Sequence, residues 1–315
     1  MKYTNQRTAY GETLVELGEK NKQIVVLDAD LGGSTMGKLF EEKYPDRHYE
    51  MGIAEANMTS VAAGLAQTGK IPFTNSFAVF AAGRAYDQIR QTIAIGELNV
   101  KICGSSSGLS DFGDGATHQA VEDMAIMRAI PGMTVICPAD ANETVEAVKA
   151  MTEMQGPCYL RLNRNDYDNV TQAGETFVIG EPRVMSEGKD IILFATGYMV
   201  GLALQAAEEM KDISVKVVNI STIKPMNENK IKELVKECKA VITAEEHSIV
   251  GGLGSAIAEV LCKECKPIEF IGIEDTFGSS AHNYQELLDY YGLTKEKIQA
   301  AIKKMADNYF ILGGN

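Results

Sequence analysis

Positive charge is scarce in this 315-residue chain: 30 lysines and arginines stand against 43 aspartates and glutamates, a formal net charge of -13 at pH 7. Nucleic acid and anionic membranes both demand a contiguous basic surface, so neither is expected as a partner. Long apolar runs are missing as well. The most apolar stretch, Ile191 to Leu204, is too short to span a bilayer and is interrupted by Thr196, Gly197 and Gly201, which reads as a strand turning into a helix. The opening MKYTNQRTAYGE shows no basic and apolar leader, so a cytoplasmic address is expected. Clustered metal ligands are lacking too. Cys262 and Cys265 form a CxxC, yet no second pair or histidine group at zinc spacing accompanies it, and no metal ligand is assigned. The six cysteines sit in apolar runs and read as small buried residues of a reducing compartment.

What the chain does contain is an alternation of short β-branched runs with longer amphipathic ones. The runs predict strands at 24–27, 100–103, 133–137, 159–162, 191–195, 215–219, 241–244 and 268–271. Helical spacing predicts helices over 10–17, 54–66, 81–95, 121–129, 141–151, 200–210 and 255–262. Such alternation specifies an α/β fold with two parallel-sheet domains. The rhythm breaks between Asn165 and Lys189, where Gly174, Gly180, Pro182 and Gly188 fall. Residues 1–170 are therefore expected as a first domain, 171–188 as a linker and 189–315 as a second domain. GGLG at Gly251 to Gly254 lacks the last glycine of a dinucleotide fingerprint and reads as tight helix packing after a strand.

The densest signals are MGIAEANM at Met51 to Met58, NSFAVFAAGRAYDQIR at Asn75 to Arg90, and SDFGDGATHQAVEDMAIMRAIPGMTVICPADANE at Ser110 to Glu143. Together they resemble the pyrimidine-binding domain of the transketolase family, whose members use thiamine diphosphate. The later ITAEEHSIVGGLG and FGSSAHNYQELLDYYGL resemble that family's C-terminal domain, so the resemblance runs nearly the whole length of the chain.

The resemblance implies a role for each matching residue. Glu55 contacts the N1' nitrogen of the cofactor's aminopyrimidine and is catalytic, since a carboxyl held away from water can share a proton with a weakly basic ring nitrogen. A first-turn glutamate that merely favours the helix dipole is the plain alternative. Phe77 and Phe80 seat the ring by stacking, against an alternative of ordinary core packing. Asp30, in LDADLGGS, lies near the cofactor and a subunit interface, or is simply a turn residue. Asp114 and His118 in GDGATHQ hold substrate hydroxyls, His118 also acting in catalysis. Arg7, Ser34 and Arg164 grip the sugar phosphate, the guanidinium forks matching phosphate oxygens in pairs, where surface ion pairing is the ordinary alternative.

The family also binds the cofactor's diphosphate through Mg2+ or a similar divalent ion, on a GDG motif followed about thirty residues on by asparagine. Gly113, Asp114 and Gly115 with Asn142 mimic that signature, but the flanking THQAVED and PADANE belong to the pyrimidine-domain pattern. The resemblance therefore implies a separate N-terminal subunit that supplies the metal and diphosphate anchor, in an assembly of two copies of each chain. Two departures concern the sugar: Ser105 to Ser107 replace a histidine that commonly contacts the ketose, and Gly113 replaces a glutamate. The expected activity is transfer of a two-carbon ketol unit between ketose and aldose phosphates. A 2-oxo acid dehydrogenase beta chain and a deoxyxylulose phosphate synthase fragment are rivals that GDGATHQ and ELLDYYGL disfavour. A non-catalytic subunit that kept the fold is opposed by Glu55, Phe80 and His118 standing together.

Overall fold

The computed structural model describes residues 3–309, and its architecture follows from short strands, the central ones buried on both faces. In chain order they are β1 (Ile24–Asp28), β2 (His48–Glu50), β3 (Ile71–Phe77), β4 (Lys101–Ser105), β5 (Thr134–Ile136), β6 (Cys158–Arg161), β7 (Arg183–Ser186), β8 (Ile191–Ala195), β9 (Val215–Asn219), β10 (Thr222–Lys224), β11 (Ala240–Ser248) and β12 (Ile268–Ile273). Two sheets result, in the orders β10-β5-β6-β4-β3-β1-β2 and β12-β11-β8-β9-β7. Every pairing is parallel except β10 with β5 and β7 with β9, which are antiparallel edge strands.

Period-two alternation sorts the strand residues into layers. Ile24 and Val26 face an outer core with Tyr10, Leu14 and Phe40, whereas Val25 and Leu27 face a central core. On β8, Ile192 and Phe194 enter that same central core, while Ile191 and Leu193 face a third group with Ile242 and Ile302. One continuous apolar layer thus joins the two halves.

The chain ties the halves together a second time. Strand β10, from the later half, completes the first sheet beside β5, with Thr222 opposite Ile136 and Cys137 N–H donating to Ser221 O at 2.7 Å. The stretch expected as linker is not all connection either, because it contributes β7 to the second sheet. Cys103, Cys137, Cys158 and Cys238 are buried, but Cys262 and Cys265 are exposed, so the reading of all six as buried holds for four. Among the described residues no helix is long and apolar enough to cross a membrane.

Helices start where capping chemistry permits. Asn5 accepts from the Arg7 and Thr8 amides at the head of the helix Gln6–Lys20, and Asp140 accepts from Glu143 N–H at the head of Ala141–Glu153. The predicted helix at 81–95 is instead mostly π-helical, over Val79–Arg84 and Ile89–Ala94. Such widened turns recur at functional sites.

Candidate active site

Parallel sheets gather side chains at the carboxyl ends of their strands. Four strands of the first sheet do so here, each feeding one segment of the candidate site. Strand β3 ends at Phe77, directly opposite Ser105 at the end of β4, and the π-helical turn after β3 carries Phe80 and Arg84. Strand β1 leads to Asp30 and Ser34, β4 to the loop with Asp111, Asp114 and His118, and β6 to Asn163 and Arg164.

The first group centres on Glu55, buried at 1% exposure in the first turn of the helix Glu55–Gln67. Arg84 Nη1 donates to both carboxylate oxygens, at 3.1 and 2.9 Å, and Ser76 Oγ lies 3.4 Å away. The Arg84 guanidinium stands 4.4 Å from the centre of the Phe80 ring. Phe77 and Phe80 lie nearly parallel, 17° apart with centres 6.3 Å apart, and His118 meets both rings edge-on. Glu55, Phe77, Phe80 and His118, expected together from the sequence, therefore converge. Arg84 was not among them. Its spacing of four from Phe80 on a helical turn was the visible signal, since it places a cation over the ring.

A second group collects charge for an anion. Arg7 Nη1 donates to Ser34 O at 2.8 Å, and the turn bearing Ser34 is fastened by Thr35 Oγ1 donating to buried Asp28 at 2.8 Å. Burial lowers the Arg7 value, and the like charge of Arg164 lowers it further. Arg164 Nη1 pairs with Asp111 Oδ1 at 2.7 Å. Burial raises the Asp111 carboxyl against the opposing pull of Arg164, and its Oδ2 is buried without a partner. Arg7 and Arg164 are near enough for their like charges to interact, with Asp111 and Asp166 as the carboxylates that face Arg7. Asp111 was not singled out beforehand, although it stands three residues before Asp114.

Asp114 is exposed at the head of a short turn, Gly115–Thr117, that leads into His118. Thr117 Oγ1 sits 2.9 Å from His118 Nδ1. Asp30 stands apart from both groups. It is exposed with φ of 57°, its amide donating to Glu50 Oε1, as a turn residue would.

The donor set decides what could fit. A buried carboxylate beside a pair of aromatic faces suits an aminopyrimidine, which offers N–H donors in a flat ring. Among the described residues no three His, Cys, Asp or Glu side chains converge to hold a metal. The fit is to the ring half of thiamine diphosphate.

Fold and site together describe one class: an α/β chain that sets a buried carboxyl and a pair of aromatic rings, with two arginines nearby, at the carboxyl ends of a parallel sheet. Residues 2–169 match the family model for transketolase, pyrimidine binding domain, and residues 180–298 match that for transketolase, C-terminal domain. The chain belongs to the transketolase family. It is 46% identical over 309 residues to a putative transketolase C-terminal section of Methanocaldococcus jannaschii, covering 95% of this chain and 96% of that one. It is 40% identical to a 6-deoxy-6-sulfo-D-fructose transketolase subunit of a Clostridium species, over 96% and 94% of the two chains. Among solved structures it superposes with TM-score 0.87 and 45% identity on a split gene transketolase described as an inactive beta4 tetramer, covering 95% and 97% of the two chains.

Proposed function

We propose that this chain is the C-terminal subunit of a split transketolase, transferring a two-carbon ketol unit from a ketose phosphate to an aldose phosphate in the cytoplasm. It works with an N-terminal subunit that holds the diphosphate of thiamine diphosphate and its divalent ion, two copies of each chain forming the enzyme. The observation that carries this reading is Glu55, a buried carboxylate joined by Arg84 to the Phe80 ring, around which Phe77 and His118 gather. The likeness to a C-terminal section and to a split gene product, each over nearly its whole length, supports the partner.

When bound, thiamine diphosphate supplies the carbon nucleophile and electron sink that breaking a bond beside a ketone requires. Glu55 holds the proton that its ring nitrogen shares, and Arg84 fixes the carboxylate's direction. The Phe80 face seats the ring. His118 and Asp114 take the sugar hydroxyls, and Arg7, Ser34 and Arg164 take the terminal anion. Because one relative is named for a sulfonated fructose, a sulfonate is the second donor anion to try after phosphate.

The test is a ketol-transfer assay on the co-purified pair with thiamine diphosphate. Glu55→Ala should lower turnover about 10²- to 10⁴-fold while the two chains still co-purify. Near wild-type turnover in that variant would defeat the assignment.

A further inference from the structure

The loop carrying Asp111, Asp114 and His118 is held from outside its own domain. In the second sheet, β9 lies on one side of β8 and β11 on the other, so the strand order reverses between β8 and β11. At the carboxyl ends of such strands α/β folds open a ligand crevice. Here the first domain fills it. Glu246, in β11 and buried, accepts Leu109 N–H at 2.7 Å and Asn163 Nδ2 at 3.1 Å, and Asn163 Nδ2 also donates to the Tyr284 hydroxyl at 2.9 Å.

Leu109 begins the loop, and Asn163 adjoins Arg164. At the intervening bend Gly108 has φ of 60°, and a side-chain Cβ there would come within 2.5 Å of the Glu246 carboxylate. Arg161 adds a donor to the Glu246 carbonyl at 2.9 Å while pairing with Asp123 at 2.9 Å. Farther along the loop, Gln119 Nε2 donates to Ser279 O and Ala281 N–H donates to Phe112 O, both at 2.9 Å. The second domain therefore grips the loop at its start and past its middle.

We infer that Glu246 is a positioning residue for sugar binding: its carboxylate sets the loop that presents Asp111, Asp114 and His118, so the second domain is part of the substrate site. This rests on the transketolase reading given above. Each Glu246 oxygen accepts one donor from the first domain, Leu109 N–H on Oε1 and Asn163 Nδ2 on Oε2, so an amide of equal shape would turn N–H toward one of them and release the loop.

The experiment compares Glu246→Gln with Ile302→Ala, a core truncation in the helix Lys295–Tyr309, which packs on β11, β12 and the helix Met199–Glu209. On the two-chain complex, Glu246→Gln should raise KM for the sugars about tenfold or more, the effect of losing one charge-assisted hydrogen bond, with thiamine diphosphate affinity unchanged. Hydrogen exchange across residues 106–119 of the chain alone should speed up in Glu246→Gln and stay unchanged in Ile302→Ala. Equal KM and equal exchange in Glu246→Gln, or the same changes in Ile302→Ala, would overturn the inference. A wild-type complex that transfers no ketol unit would sink the functional reading instead, and the exchange comparison would still decide whether Glu246 holds the loop.

Discussion

Three titratable residues in succession, Glu245, Glu246 and His247, are buried inside β11, and they make the stability of this protein depend on pH in a calculable way. Burial pushes each glutamate from its ordinary 4.5 up to about 7, against the opposing pull of Arg161 and of amide donors. The folded chain then holds these protons more tightly than the unfolded chain. Their stabilising contribution is complete below the ordinary carboxyl value and is lost as pH rises through 7. For Glu246 alone, a shift of this size removes about 2–3 kcal/mol between about pH 5 and pH 8. His247 runs the other way: burial lowers it to about 4, so its contribution is lost as pH falls.

Glu246→Gln isolates the carboxyl, because His247, Arg161, Asp123 and Tyr284 are common to both proteins and their titrations cancel in the difference. Urea-unfolding free energies of wild type and variant, measured at about pH 5 and pH 8, should diverge by about 2–3 kcal/mol in the stated sense. Wild type loses more than the variant on going to alkaline pH. A difference that stays flat, or one that favours wild type as pH rises, would refute the reasoning.

Arg164→Ala should raise KM for a phosphorylated ketose about 10- to 100-fold and change that for an unphosphorylated analogue little, as steady-state kinetics on the complex would show. Arg161→Met should cost about 3–5 kcal/mol in urea melts, because it strands the Asp123 carboxylate, which is 1% exposed. Adding Asp123→Leu to that variant should recover part of the loss. Gly252→Ala should destabilise by about 1–3 kcal/mol in the same assay. Its Cβ would lie 2.0 Å from Oε2 of Glu245, whose carboxyl is pinned by Leu253 N–H on Oε2 and Gly254 N–H on Oε1.

Much of the fold was legible because buried parallel strands are written as uninterrupted apolar runs. The strands at Ile191–Ala195 and Val215–Asn219 have the bounds that the runs predict. Strand β3 escaped for a physical reason. Its sequence IPFTNSF carries Pro72 and three polar residues, so hydropathy hides it, although Thr74, Asn75 and Ser76 are all buried. Asn75 is made tolerable by Tyr10, whose hydroxyl donates to its Oδ1 at 2.5 Å from another element altogether. The edge strands β2, β7 and β10 have three or four residues each, too few for a period to register. Of the site, the motif residues around Glu55 were named in advance, while Arg84 and Asp111 were found only through what they touch.

The run AEEH was a local contradiction that the sequence displayed without resolving: three ionisable residues in what otherwise reads as a core strand. Its resolution lies in the other domain. Glu246 is met by Leu109 and Asn163, and Ala125 N–H approaches His247 Nε2 at 3.4 Å, all three from the first half of the chain. Glu245 is satisfied locally, at the amino end of the helix Leu253–Leu261, and His247 Nδ1 meets Ser248 O at 2.7 Å. If the second domain drifted from the first, Glu246 would lose two of its donors and the Arg161–Asp123 pair would lose its partner carbonyl. Leaving buried groups unpaired costs about 1–3 kcal/mol each, more where charge is involved. That penalty couples the position of the second domain to the shape of the loop bearing His118, so the two sheets are expected to move as one body whenever the site is in use.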